Sequence, residues 1–300
     1  MKRVLGVSLG SSDRDSSAEL EFLGHQFLVQ RIGTDGDKAK FERLMTENDG
    51  KVDALCFGGG DLYLYAANRR YPFKAAHRLV RNVRQTPVVD GGGIKHALEA
   101  ATVGWMQSEG LVDFSRSNVL LVCAVDRYGL AWALARLCRR VVFGDVMFGL
   151  GLPFPLTSIG QLNLAARILL PIITRLPLHW VYPTGSRQRS IVPKWGKYYQ
   201  WADVIAGDFL FIRRHLPDRL AGKVIVTNTT TAADVDLLRQ RGVRLLVTST
   251  PCIGGRTFGT NILEGMLVAA AGASHPLSEG EYLAALRQAG WKPTVQHLEG

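Results

Sequence analysis

The sequence predicts an α/β protein of two αβ halves, the second a Rossmann-like, mostly parallel sheet, with a ligand cleft between the halves. Three observations predict it. One grammar recurs along the chain: an apolar strand, a turn of small residues carrying an acid or a hydroxyl, then a helix. Hydrophobic residues make up 47% of the chain and charged residues 21%, the balance of a protein with a sizeable core. The stretch 118–145, NVLLVCAVDRYGLAWALARLCRRVVFGD, reads as a complete strand–turn–helix–strand unit.

Within that stretch, 119–125 is a buried strand, Asp126 and Gly129 lie in the turn, 130–137 is a helix and 141–143 a second strand. Asp145 follows about 20 residues after the turn, where a dinucleotide fold places its ribose-binding acid. The glycine fingerprint G-x-G-x-x-G, set on Ala124 to Gly129, keeps only its third glycine. Asp126 falls where a backbone should approach a pyrophosphate, and a carboxylate there repels it.

Three hundred residues suggest two domains. No leader is visible, since a strand begins almost at once. The four cysteines, Cys56, Cys123, Cys138 and Cys252, form no CxxC pattern and read as reduced thiols of a cytoplasmic protein. The net charge of +10 comes from dispersed Lys and Arg with no nucleic-acid motif beside them, so no nucleic-acid partner is expected.

Along the first half, 2–8 is a strand ending in Ser8-Leu9-Gly10-Ser11-Ser12, and 25–32 is the second strand. Helix 38–46 follows a capping turn at 33–37, and strand 54–57 runs into Gly58-Gly59-Gly60-Asp61. Residues 62–71 turn from aromatic to basic and read as a hairpin or an irregular excursion. Helix 74–83 presents Lys74, Arg78 and Arg81 on a solvated face. Strand 87–90 delivers Gly91-Gly92-Gly93 to a helix over 94–106. The polar segment 110–117 marks a boundary, so the expected domains are 1–114 (substrate-type), 115–273 (nucleotide-binding) and 274–300 (a helix and tail packing back).

Residues 146–178 are very apolar, but Pro153, Pro155, Pro171 and Pro177 interrupt the run, so no transmembrane segment is expected. A buried helix near 159–173 and a homodimer through 146–178 are the better expectation. Residues 181–200 interleave aromatics with bases and read as a lid over an anionic ligand. The α/β rhythm then returns through strands 203–206, 224–227 and 243–248 and helices 209–215, 232–241 and 261–271. Helix 279–289 opens with Ser278 and Glu281 in capping-box spacing.

The carboxyl ends of strands in open α/β sheets make the ligand crevice. In the second half those ends collect Asp126, Asp145, Asp208, Thr227, Asn228, Thr229 and Thr248, a set able to hydrogen-bond a nucleoside or a polyol. Helix capping is the blander role, and the better one for Thr230 and Thr231. Gly254 to Asn261, a glycine-rich turn before a helix, offers Arg256 and Asn261 to a carboxylate or phosphate, or is a plain connection. In the first half, Ser8, Ser11, Asp61 and Gly92 can hold a hydroxylated substrate beside Asp90 and Lys95, with Lys95 as proton-transfer group. A solvent-facing Lys95 is the alternative. No HExxH pattern occurs and no metal site is expected.

These segments resemble a bacterial family labelled quinate 5-dehydrogenase. The resemblance rests on SLGSS (8–12), RIGTDGD (31–37), GGGDLYLY (58–65), TPVVDGGGIK (86–95), AVDRYG (124–129), FGD (143–145), LPLHWVYPTG (176–185), WADVIAGDF (201–209), TNTTT (227–231) and GRTFGTN (255–261). It implies an NAD(P)-dependent oxidoreductase acting on a hydroxylated carboxylate, with NAD preferred to NADP because Asp145 disfavours a 2′-phosphate. Asp145 would take the adenosine ribose and Thr227 to Thr229 the nicotinamide ribose, while Lys95 or Asp90 handles the proton. The alternative is a protein of the same ancestry that has lost dinucleotide binding. It would bind a nucleoside, a sugar phosphate or another small anion as a sensor, scaffold or different enzyme; the expected partner on either reading is a small anionic or polyhydroxylated ligand.

Overall fold

Strand β1 (Lys2–Ser8) is buried continuously from Val4 onward, the pattern of a strand covered on both faces. The computed structural model describes residues 1–67, 69–181, 190–250, 252–253 and 256–298. A second strand unread from the sequence, β2 (Ser16–Phe22), pairs antiparallel with β3 (His25–Gly33). Its seven residues bury only Leu20 and Phe22, so its polar composition hid an edge strand. Helix α1 (Lys38–Glu47) is capped by Asp37, which accepts the Lys40 N–H. Strand β4 (Ala54–Gly58) is wholly buried and pairs in parallel with β1.

Strands β5 (Tyr63–Ala66) and β6 (Arg69–Pro72) form a hairpin, with Arg70 stacked 3.4 Å over the Tyr63 ring. Helix α2 (Lys74–Val80) and the short strand β7 (Val88–Val89) follow, completing the sheet order β2-β3-β1-β4-β7. Every pairing in this sheet except β2–β3 is parallel. Phe41 of α1 packs on Phe57 of β4 with ring centroids 5.0 Å apart.

Helix α3 (Gly92–Ser108) leads to β8 (Asn118–Leu121), α4 (Tyr128–Leu137) and β9 (Arg140–Phe143), the unit read from 118–145. Then come α5 (Ile159–Ile173), α6 (Leu178–Val181), α7 (Gly196–Trp201), β10 (Val204–Ala206), α8 (Phe209–Arg214), β11 (Val224–Thr227), α9 (Ala232–Gln240) and β12 (Leu245–Thr248). The chain closes through β13 (Cys252–Ile253), β14 (Arg256–Thr257), α10 (Thr260–Ala271), α11 (Glu279–Gln288) and β15 (Thr294–His297). The second sheet runs β15-β12-β11-β10-β8-β9, parallel throughout but for β15. Its core gathers Leu120, Ile205, Ile225 and Leu246 from successive strands with Tyr199 and Phe209.

The fold class is therefore α/β with mostly parallel sheets, in two compact units. One comprises Met1–Lys95, Leu169–Gln188 and Cys252–Trp291; the other comprises His96–Ile168, Arg189–Pro251 and Lys292–Gly300. No helix among the described residues is long and apolar enough to cross a membrane. Helix α5 corrects the expectation of a buried helix: Leu162, Ala166 and Leu170 are buried, but Leu164, Ile168 and Ile172 are open to solvent. Part of the expected 181–200 lid, residues 182–189, lies outside the described residues, as do Gly254, Gly255 and the side chain of Arg256.

Candidate functional site

Parallel register carries the carboxyl ends of β8, β10, β11 and β12 to one edge of the second sheet: Leu121 lies beside Ala206, Ala206 beside Val226, and Thr227 beside Thr248. The turns that leave this edge bear the chemistry. After β8 the chain turns through Asp126 and Arg127 into α4. Arg127, unselected by sequence reasoning, is the centre of the arrangement. Its side chain is 3% exposed and meets three carboxylates: Glu99 of α3, Asp126 at 3.2 Å and Asp208 at 2.8 Å. Burial opposes its charge, but Glu99, Asp126 and Asp208 outweigh that and hold its pKa well above the ordinary value. One guanidinium thus faces three acids, leaving a negative excess.

Asp208 is also the N-cap of α8, its Oδ1 accepting the Leu210 N–H at 2.9 Å. Its Oδ2 accepts both Arg127 and the Asn228 side-chain amide, the latter at 3.0 Å. Asn228 Oδ1 in turn accepts the Thr227 hydroxyl at 3.0 Å. Structure therefore joins Asp126, Asp208, Thr227 and Asn228 in one network, through an arginine. The Thr248 hydroxyl, at the neighbouring strand end, is buried and finds no hydrogen-bond partner among the described residues. Thr229 is half-buried in the loop between β11 and α9.

Asp145 does something else. Its carboxylate accepts the backbone N–H of Ala124 at 3.1 Å and of Val125 at 2.8 Å. Burial pushes its pKa up to about 6, against those two hydrogen bonds. Those amides belong to the turn that would cradle a pyrophosphate in a dinucleotide fold, and a carboxylate of the chain already occupies them. Gly129 serves packing: a Cβ there would lie 2.5 Å from the His96 carbonyl oxygen. The expected NAD site, with Asp145 on a ribose and Asp126 and Gly129 at a pyrophosphate, is corrected on this ground.

The first unit spends its candidates on its own loops. Ser8 Oγ accepts the Gly10 N–H and Ser11 Oγ the Asp13 N–H. Asp90 accepts the backbone N–H groups of Leu62, Tyr63 and Gly92, which ties the β5–β6 hairpin to the strand end. Asp90 thus anchors this loop through three backbone amides. Lys95 is neither solvent-facing nor free: it pairs with Asp61 at 2.5 Å, both side chains mostly buried. Asn261 donates to the Phe57 carbonyl at 3.0 Å. Sequence reasoning missed Glu264, which accepts the Gly91 N–H and the Tyr282 hydroxyl, both at 2.6 Å, and whose pKa burial and Asp90 raise to about 7. A carboxylate in the apolar helix TNILEGMLVAAA was the available signal. Among the described residues no cluster of three or more His, Cys, Asp or Glu has metal-binding geometry.

Residues 93–298 match a family model described as a domain of unknown function (DUF8754), and residues 3–90 match a second such model (DUF8753). No curated protein matches the chain. Among solved structures, the chain is similar to GanP, a glucose-galactose binding protein from Geobacillus stearothermophilus (8% identity, 99% of this chain and 97% of that one, TM-score 0.42). It is also similar to a substrate-binding protein of a sugar ABC transport system from Bordetella parapertussis (10% identity, 99% and 89% covered, TM-score 0.40). A third is the periplasmic binding protein component of the arabinose ABC transporter from Shewanella sp. ANA-3 (10% identity, 96% and 97% covered, TM-score 0.38).

The expected quinate 5-dehydrogenase membership, oxidoreductase activity and NAD or NADP cofactor are corrected: the matching family models carry no such description, and Asp145 fills the turn that a dinucleotide needs. The cytoplasmic expectation is withdrawn as well. Its basis in cysteine usage was weak in physical terms. Cys56 and Cys123 are buried thiols whose pKa burial drives up, and apolar packing explains them in any compartment.

Proposed function

We propose, for a chain that belongs to the DUF8754 family, that the second unit binds a small, uncharged, polyhydroxylated ligand at the carboxyl edge of its sheet. The observation that carries this reading is the Arg127–Asp208–Asn228 network, with Asp126 beside it and, on the adjacent strand, the Thr248 hydroxyl, which has no hydrogen-bond partner among the described residues. Carboxylates accept from vicinal hydroxyls, a guanidinium and an amide donate to them, and a buried lone hydroxyl can do either. Asp126 and Asp208 keep part of their side chains accessible, while Arg127 and Glu99 support them from below the surface. Three acids around one arginine disfavour a phosphate or carboxylate, and Asp145 already fills the amide turn that would bind an anion.

The test is isothermal titration and thermal melting against a panel of neutral pentoses, hexoses and nucleosides, each paired with its phosphorylated form. At least one neutral member should bind and stabilise the protein, by about 2.7 kcal/mol at a hundredfold excess over Kd. Asn228→Ala and Asp126→Ala should abolish that stabilisation while the far-UV circular dichroism is unchanged. Tighter binding of the phosphorylated partners, or no binding by any member, would sink the proposal.

A further inference from the structure

The outer face of α5 presents Leu164, Ile168 and Ile172 at 61%, 59% and 60% exposure, one below the other at i, i+4 and i+8. The opposite face, Leu162, Ala166 and Leu170, is the one that packs inward. Ahead of the helix in the same chain segment, Leu150, Leu152 and Phe154 are exposed as well. Single exposed apolar residues need no explanation; a stripe of them along a helix does.

Charge says what covers it. Between Asp145 and Asp203 the sequence contains no Asp or Glu, while Arg167, Arg175, Arg187, Arg189, Lys194 and Lys197 all fall inside the interval. Arg167 itself lies on the exposed face, beside Ile168. An apolar stripe with Arg167 on the same exposed face, in a stretch of sequence whose charges are all basic, is the composition of a helix that lies on an anionic lipid surface, its aliphatic side chains in the acyl boundary and its arginine at the headgroups. At 15 residues, α5 is about 22 Å long, too short for the hydrocarbon core of about 30 Å, so it lies on the surface and does not span. A second copy of the chain fits worse. A two-fold contact through α5 would set Arg167 against its own copy with no acid in the segment to pair it.

We infer that the outer face of α5, with Leu150, Leu152 and Phe154 leading into it, is a docking surface for an anionic membrane. This inference goes beyond ligand binding and uses none of the residues of the Arg127 network.

Flotation of the full chain with vesicles decides it. One set is phosphatidylcholine alone and the other contains about 30% phosphatidylglycerol. The protein should float with the anionic set about tenfold more tightly than with the neutral set. Ile168→Asp, at an exposed position, should weaken that binding about tenfold or more with an unchanged melting curve. Arg167→Gln should weaken it about fivefold. Equal affinity for both vesicle sets, or none for either, overturns the inference. So does an Ile168→Asp protein that floats like the wild type or, should that variant not fold, an Arg167→Gln protein that does. Sedimentation velocity without lipid supplies the last arm: self-association that Ile168→Asp removes gives the face to a second copy and overturns the membrane assignment.

Discussion

Asp145 accepts the backbone N–H of Val125 at 2.8 Å, so the last residue of the strand–turn–helix–strand unit closes on its own first turn. The acid that sequence spacing offers to a ribose is used within the chain, and the turn that would greet a phosphate is already neutralised. Removing the carboxylate leaves two amide donors without an acceptor. Asp145→Ala should therefore cost about 2–3 kcal/mol in urea unfolding. Asp145→Asn, which keeps one acceptor oxygen, should cost less. A fluorescence titration of the wild type with NADH should show no saturation.

Arg127 compensates three carboxylates at once, and its loss leaves them facing one another in a buried setting. Arg127→Leu should destabilise by about 3–5 kcal/mol in the same unfolding experiment. Adding Glu99→Gln should recover part of that loss, because one of the stranded charges is gone. Arg127→Lys keeps the charge but cannot reach Glu99 and Asp208 together, and its stability should fall between the two. Strictly additive effects would show that the three acids do not share the arginine.

Glu264 gives the first unit a pH signature. Its pKa is raised from 4.5 to about 7 by burial and by Asp90, with Tyr282 and Lys95 favouring its charge and Cys56 beside it. A carboxyl whose pKa is higher folded than unfolded contributes stability below the unfolded value and loses it as pH rises through the folded one. Between pH about 4.5 and pH about 7 the wild type should lose up to about 3 kcal/mol from this group. Glu264→Gln should flatten that part of the curve. Unfolding free energies at pH 5 and pH 8 check it, and an identical slope in the variant would assign the effect elsewhere.

Two glycines of the second unit should respond in opposite directions to alanine. At Gly129 the added Cβ meets the backbone of His96 at 2.5 Å, and neither chain segment can yield cheaply. Gly129→Ala should cost about 1–3 kcal/mol. Gly104, exposed within α3 with nothing within 4 Å of its Cβ position, has no such constraint. Gly104→Ala should stabilise by about 0.5–1 kcal/mol through helix propensity. Thermal melts of the two variants against wild type read both signs.

Most helices and buried strands were legible because their signals are local. Asp37 caps α1 and Ser278 with Glu281 opens α11, as turn chemistry and spacing imply. β2 was illegible because an edge strand with one thin apolar face leaves a weak period-two pattern. The strand read at 119–125 ends at Leu121, since Val122 to Val125, however apolar, are drawn into the turn that Asp145 ties down. At the candidate site, the sequence named Asp126, Asp208, Thr227 and Asn228, which the structure joins in one network. It passed over Arg127, Glu99 and Glu264, whose partners include groups 28 and 173 residues away.

By itself the sequence determined what short-range physics controls: the α/β class, the order of its elements, and the strand-end turns that carry acids and hydroxyls. Only the tertiary structure decided what each carboxylate is for. Asp145 and Asp90 turn back onto backbone amides, while Asp126 and Asp208 gather around Arg127. The reason is that a side chain's type and spacing limit which groups it can bond. Which partner it meets depends on the register of strands distant in sequence, and the same Asp can anchor a loop or face a ligand.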